Sequence, residues 1–453
     1  MVNDYFENAK HAKKRLESIS PTMCMAKWLQ VSMHLPQGLT QSCYHPPTHK
    51  VPLNELAITP KALHNTREKV LQRKQMWEGR RPSGCQYCWN IEDAPDGPHL
   101  SDRHYRSSEW WAQDAWDEVI EGGWDENINP RYVEVNFNQA CNFKCTYCSP
   151  HLSTEWEKEI QEHGPYKLDK YIHNDIESLR KAGLMPIKGA NKHNPYVAAF
   201  WEWWPELYKD LKVFRMTGGE PLMDKNTFDV FDYIILNPNP DLELSITSNL
   251  CPPQTKLFDK FLDKMKKLED SINEETYNDW AARGLLREFT YYAKNDGKGE
   301  WKKWPRYLVL FDEVDNTDNI DPTTPRIKFK DIKSSFDSNG LDASTGDFLY
   351  TLVWYKSSEK KNWSCIGSKD SGKEGNKGIF LDIPRMKNFM LFASIDSVGE
   401  QAEYIRSGLN WKVFENNVKK FLTSTNNTEI TFINTFNLLS IPKLKNFLEF
   451  ILK

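Results

Sequence analysis

The sequence predicts an α/β fold of repeated strand–helix units. Two observations carry this. Short runs with apolar residues at period two recur and close on polar residues or glycine, and helical apolar spacing follows some of them. The first strand is expected at 132–138, Tyr-Val-Glu-Val-Asn-Phe-Asn, because aromatic and β-branched residues suit a pleated surface. The second covers 211–217 and runs into Gly218-Gly219-Glu220-Pro221. The third covers 242–248 and stops at Asn249; the helix after it is expected at 254–268, with Leu257, Phe258, Phe261, Leu262 and Met265 on one face. The fourth covers 389–395 and ends at Asp396, before a helix through Tyr404-Ile405-Arg406. The fifth covers 429–434, and a last helix covers 443–452. No sixth strand is visible, unless a part such as 95–130 closes the sheet.

A chain of 453 residues has room for two to four domains, or one large barrel with appendages. A net charge of −4 carries no whole-chain nucleic-acid signature. No apolar run reaches the about 18 residues of a membrane span, and the N-terminus lacks a signal-peptide layout. The expected location is therefore cytoplasmic, with neither membrane nor nucleic acid as a partner. Nine cysteines in a cytosolic chain then indicate metal binding or catalysis rather than disulfides. Cys251 and Cys365 stand alone and read as structural thiols. Trp110-Trp111 and Trp201-Glu202-Trp203-Trp204 read as core or interface.

Cys141, Cys145 and Cys148 form a C-x3-C-x2-C set directly after the first strand. Three thiolates on one loop can hold three irons of a cubane [4Fe–4S] cluster. That leaves the fourth iron open, unlike a fully ligated electron carrier. Half of a zinc site or plain buried thiols are the alternatives. At the end of the second strand, the Gly218-Gly219 pair permits close backbone approach, and Glu220 suits an ammonium group.

The two motifs, in this order and each at a strand end, resemble the radical S-adenosylmethionine (SAM) superfamily. The resemblance implies a partial (β/α) barrel with a [4Fe–4S] cluster and SAM as cofactors. Cys141, Cys145 and Cys148 would bind the cluster, and Gly218, Gly219 and Glu220 would hold the SAM amino group. Tyr147 would pack beside the adenine, unless it is an ordinary core tyrosine. Ser248, Asn249, Ser394, Asp396, Arg406 and Asn434 would lie near SAM, with Arg406 pairing its carboxylate. For each the competing reading is a loop cap. The implied reaction is one-electron cleavage of SAM to a 5′-deoxyadenosyl radical, followed by hydrogen abstraction from a substrate. The expected partners are SAM, an external flavodoxin- or ferredoxin-type electron donor, and a peptide or protein side chain as substrate. A small metabolite or nucleotide is the alternative substrate. A non-catalytic iron–sulfur electron-transfer or binding protein is the other class, which the intact Gly218-Gly219-Glu220 disfavours.

Cys24, Cys43, Cys85 and Cys88 form a second set. A strand from Cys24, a turn at Pro36-Gln37-Gly38 and a return to Cys43 suggest a hairpin; a polar helix over 60–78 then leads to Cys85-Gln86-Tyr87-Cys88. This order resembles the SPASM and twitch domains of radical SAM enzymes, and implies an auxiliary iron–sulfur cluster; a four-cysteine zinc site is the alternative. His34, His45 and His49 read as surface histidines. The expected division is 1–95 auxiliary domain, 96–130 linker, 131–270 first barrel part, 271–386 an inserted α+β domain, and 387–453 second barrel part, possibly incomplete at its C-terminus. The insert contains strand-like islands at 306–311 and 349–355. It either flanks the substrate entrance or has no catalytic role.

Overall fold

The computed structural model describes residues 2–97, 99–167, 174–190, 193–269, 385–425 and 428–452, with six short strands inside 288–366. The strands are β1 (Gln30–His34), β2 (Leu39–Gln41), β3 (His49–Lys50), β4 (Tyr132–Asn136), β5 (Lys144–Cys145), β6 (Val213–Thr217) and β7 (Asn239–Ser248). Next come β8 (Glu288–Phe289), β9 (Tyr292–Ala293), β10 (Lys302–Lys303), β11 (Tyr307–Leu308), β12 (Thr351–Val353) and β13 (Ser364–Ile366). The last are β14 (Met386–Ser394), β15 (Arg406–Ser407) and β16 (Thr428–Ile433). All five expected strands exist as β4, β6, β7, β14 and β16, and the expected helices form at Thr255–Glu269, Gly399–Ile405 and Leu444–Ile451.

One eight-stranded sheet runs in the order β16-β14-β7-β6-β4-β1-β2-β3. β1, β4, β6 and β7 pair in parallel, as do β14 and β16. The large parallel sheet matches the expected α/β class. Its odd-numbered or even-numbered positions alternate faces as strands must. Val133, Val135, Phe214, Met216, Leu244, Ile246, Leu391 and Ala393 are buried. Helix Pro195–Asp210 covers part of this apolar face, with Trp204 4.9 Å and Phe200 6.3 Å from Phe214, ring centre to ring centre. Helices Thr255–Glu269 and Trp411–Ser424 bring Phe261 and Phe421 to 6.1 and 6.3 Å from Phe389. Asn194 starts the first of these helices by accepting from the Tyr196 and Val197 amides, and Asn410 starts the last by accepting from Val413.

The N-terminal segment differs from expectation. The hairpin exists, with β1 antiparallel to β2, but β1 also pairs in parallel with β4 from Gln30–Tyr132 to His34–Asn136. It therefore extends the main sheet rather than founding a separate sheet. β1 is the first arm of the expected hairpin; its place in the main sheet was not expected, and it lies before the cysteine loop rather than after the fifth strand. Cys24 precedes a helical turn, Ala26–Leu29, instead of opening a strand. The stretch 96–130, expected as a linker, holds helices Asp102–Ser108, Trp110–Asp114 and Trp116–Gly122. Trp111, Ala112, Trp116 and Val119 are buried there with Met23, Met25, Trp28 and Trp89. An apolar face this rich in tryptophan gains too much by burial to stay a solvated connector.

The chain divides into two compact units, one of Met1–Asp232, Asp241–Glu269 and Met386–Lys453, the other of Tyr233–Pro240 and Asp270–Arg385. In the second, β8 pairs with β11, β9 with β10, and β12 with β13, all antiparallel. β11 and β12 fall within the two strand-like islands; the rest of the expected α+β insert lies outside the described residues. Among the described residues no helix is long and apolar enough to cross a membrane.

A pH dependence of stability follows from His104. It is fully buried, accepts the Ser101 amide at Nδ1 (3.0 Å), and burial lowers its pKa to about 3. An unfolded histidine titrates near 6.5. The unfolded chain thus binds more protons below that value, so the contribution is fully present above pH 6.5 and is lost as pH falls toward 3. Thermal melts from pH 7 to 4 should show the decline, and His104→Asn, which keeps an acceptor without a titrating ring, should flatten it.

Candidate active site

The cysteine loop is clamped from several elements. Asn138 Oδ1 accepts the Ala140 amide (2.6 Å) and its Nδ2 bonds Asp224. Thr154 Oγ1 bridges both backbone groups of Cys141, Ser153 donates to Phe143 O, and Trp156 Nε1 donates to Cys145 O (2.9 Å). Cys145 lies on β5, which pairs with β15 so that Arg406 stands directly opposite Cys145. Arg406 Nη1 points at Cys145 Sγ (3.8 Å). Cys145 is buried, and Cys141 and Cys148 are partly exposed. Burial pushes the Cys141 thiol up to about 12 and the Cys145 thiol up to about 11, so metal binding there must release protons.

The glycines bring two stretches of backbone together. Gly218 has φ +126°, and a Cβ on it would lie 2.3 Å from Asn136 Oδ1. A Cβ on Gly219 would lie 2.3 Å from Ala140 O and 2.7 Å from Gln139 C. The Glu220 amide donates to Ala140 O (2.6 Å). The pair therefore lets the turn after β6 seat on the cysteine loop, so the close approach is backbone to backbone.

Glu220 is buried, and burial pushes its carboxyl up to about 7, while the Asn249 amide, Ser248 hydroxyl and Leu222 amide pull it back. These bonds measure 2.7, 2.7 and 3.1 Å. Asn249 continues the chain of contacts through Nδ2 to Asn142 Oδ1 (3.2 Å), and Asn142 Nδ2 reaches Cys251 O (2.7 Å). Asn142, inside the cysteine motif, was missed as a residue joining the two strand ends. Its polarity between two cysteines was the only available signal. Cys251 is a buried structural thiol, donating to Asn410 O (3.7 Å).

Four expected residues converge across the loop. Arg406 Nε and Nη2 pair with Asp396 at 2.7 and 3.3 Å. Tyr147 OH donates to the same carboxylate (2.7 Å), and the Arg406 guanidinium lies 5.5 Å from the Tyr147 ring centre. Thr435 N reaches Asp396 Oδ1 (2.8 Å), and Asn434 Nδ2 reaches the Asp396 carbonyl (2.9 Å). Arg406 thus already has a carboxylate partner in the protein, and Tyr147, about two-fifths exposed at 42%, is anchored by its hydroxyl. Ser394 lies at the end of β14, outside this set of hydrogen bonds.

Cys24 and Cys43, on loops, and Cys85 and Cys88, on the successive helical turns Ser83–Cys85 and Gln86–Glu92, line one cavity together with Lys27, His45 and Arg103. His45 is not a free surface histidine: it stacks on Tyr87 at 3.6 Å and bonds Asp102 through Nε2 (2.6 Å). Lys27, Lys69 and Arg73 are buried beside this region. They bond Gln72 Oε1, Gln30 O and Asn65 Oδ1 rather than any carboxylate. Buried cations without counter-charge are costly, and Lys27 lowers the Cys24 and Cys43 thiols against the larger upward push of burial. The donor set and its surrounding charge fit an anionic metal–thiolate group. Among the described residues no three His, Cys, Asp or Glu side chains stand close enough for one metal ion.

Arg103 ties this region together. It forms a two-pronged pair with Glu92 (2.6 and 2.8 Å) and donates to Met23 O and Pro21 O. Both side chains are largely buried. Arg103→Ala leaves Glu92 buried and unpaired and should cost about 3–5 kcal/mol, measurable by denaturant unfolding.

Proteins named GTP 3′,8-cyclase resemble the chain in part. That of Nautilia profundicola is 30% identical over 158 residues, 34% of this chain and 40% of the relative. Those of Campylobacter curvus and Desulforamulus reducens are 26% and 24% identical over 160 and 165 residues, covering 35% and 36% of this chain and 40% and 41% of theirs. The likeness supports the radical SAM superfamily. The chain spans about two-fifths of the length of these curated relatives. No family model and no solved structure matches.

Proposed function

We propose that the chain is a radical SAM enzyme acting on a small, nucleotide-like substrate. The observation that carries the reading is the seating of Gly218-Gly219-Glu220 on the cysteine loop, which puts a buried carboxylate beside the Cys141 end of that loop. Cys141, Cys145 and Cys148 would hold a [4Fe–4S] cluster, and Glu220, kept in place by Ser248 and Asn249, would accept the SAM ammonium. Held there, the cluster and SAM would supply one-electron reductive cleavage of the sulfonium and, through it, hydrogen-atom abstraction from a substrate. Asp396 holds Arg406 and Tyr147 in place around Cys145, the buried thiol of the three. The electron would come from a flavodoxin- or ferredoxin-type donor. The names of the relatives favour a nucleotide over the peptide side chain that the SPASM-like cysteine order suggests. Cys24, Cys43, Cys85 and Cys88 would hold an auxiliary iron–sulfur cluster, favoured over zinc because a radical SAM cysteine motif lies in the same chain.

The test is the iron, sulfide and zinc content of anaerobically reconstituted protein, with SAM cleavage after dithionite reduction. About eight irons per chain with 5′-deoxyadenosine formed supports both clusters. About four irons plus one zinc keeps the enzyme and reassigns the second site. Iron without cleavage sinks the enzymatic reading. Replacing Cys85 and Cys88 together by Ser should remove about four irons and leave part of the cleavage.

A further inference from the structure

We propose that the inward face of β1, bearing Gln30, Ser32 and His34, recognises a neutral hydrogen-bonding heterocycle, the edge of a nucleobase. This rests on the small-substrate reading above and names the surface that would read the substrate. In the parallel register Gln30, Ser32 and His34 stand beside Tyr132, Glu134 and Asn136. Glu134 in turn stands beside Arg215, and Arg215 beside Ser245. Residues opposed in this way share a face. That face lies opposite Phe214 and Met216, whose side the helix Pro195–Asp210 covers.

Every residue of β1 on this face is a neutral donor or acceptor, and each has an unmet bond. Gln30, Ser32 and Asn136 are 0%, 1% and 3% exposed. Gln30 Nε2 and Oε1, Ser32 Oγ, His34 Nε2 and Asn136 Oδ1 are nonetheless buried without a hydrogen-bond partner. Such groups carry their full desolvation penalty, and native interiors seldom leave several together on two adjacent strands. Five of them in one row are what a bound polar ligand would satisfy.

The chemistry narrows the ligand. Glu134 and Arg215 pair with each other at 3.4 Å, so their charges compensate. Burial lowers the His34 pKa, which keeps the ring neutral. The Gln30 amide presents a donor and an acceptor side by side, the pattern that reads a base edge. Tyr44, next to Cys43, reaches over to Tyr132 OH and to Glu134 Oε2 (3.3 Å), so the N-terminal cysteine segment borders one end of the row.

The experiment uses the reconstituted full chain and calorimetric titration with guanosine, adenosine, cytidine and N-acetylglycinamide. The expected result is binding of at least one nucleoside, weakened about tenfold or more in Gln30→Leu. Iron content and thermal melting report whether that variant has folded; if it has not, Ser32→Ala takes its place with the same expectation. Binding of N-acetylglycinamide alone, no nucleoside binding, or unchanged affinity in a folded variant overturns the proposal, the row then being filled by water or by a peptide amide. Nucleoside binding in wild-type protein that cleaves no SAM would instead overturn the enzymatic reading and leave this surface standing.

Discussion

Cys145→Ala should abolish SAM cleavage and lower iron by about four per chain. The change removes the one fully buried thiol of the three, the one facing Arg406 across the β5–β15 pair. Two remaining thiols cannot hold a cubane in the same orientation. The backbone need not move, because Trp156 and the β5–β15 pairing grip the Cys145 main chain, and only the Arg406 Nη1 contact with its sulfur is lost. Loss of cleavage should therefore come with a nearly unchanged melting curve for the metal-free protein. Cys251→Ala is the control: its sulfur only meets Asn410 O, and its carbonyl, which holds Asn142, survives the substitution. It should cleave SAM. Retained cleavage in Cys145→Ala would falsify the assignment of the cluster loop.

Gly219→Ala should be nearly as severe, by a different route. The added methyl would meet Ala140 O at 2.3 Å and Gln139 C at 2.7 Å, both backbone atoms that no rotamer change can move aside. Either the turn lifts off or residues 139–140 shift and carry Cys141 with them. The expected cost is about 3 kcal/mol, with loss of SAM cleavage and reduced iron at the loop site. Gly183→Ala separates this from a simple backbone effect. Gly183 has φ +73° but nothing within 4 Å of its would-be Cβ. It should lose about 1–2 kcal/mol from left-handed strain alone and keep cleavage. Equal activity in the two variants would show that the glycine pair does not position the loop.

Much of the molecule could be read along the chain because the signals are local. Alternation in Val-Glu-Val and Val-Phe-Arg-Met predicts strands whatever packs against them, and β4 and β6 form there. The spacing of Cys141, Cys145 and Cys148 places three thiols on one loop by covalent connection alone. The helix Thr255–Glu269 buries Phe258, Phe261, Leu262 and Met265, the residues its period selects.

The unread parts depend on partners far away in sequence. Gln30–His34 alternates polar and apolar residues as a strand does, but nothing local says that it will pair with β4, about a hundred residues on. Trp110-Trp111 read as core or interface, but within a stretch read as a linker; only Trp28 and Trp89 show which core Trp111 and Trp116 join. Arg406 read as a free cation for a ligand carboxylate, but the fold brings Asp396 to it at 2.7 Å.

By itself the sequence determined which segments are strands and helices, which loop carries three thiols, and which turn can come close to another backbone. Only the tertiary structure decided that the turn's neighbour is the cysteine loop, that β1 completes the sheet, and that Asp396, Arg406 and Tyr147 form one hydrogen-bonded group. The physical reason is that periodicity and spacing act over a few residues through backbone geometry. Register, burial and charge pairing are set by contacts between segments that the chain itself holds far apart.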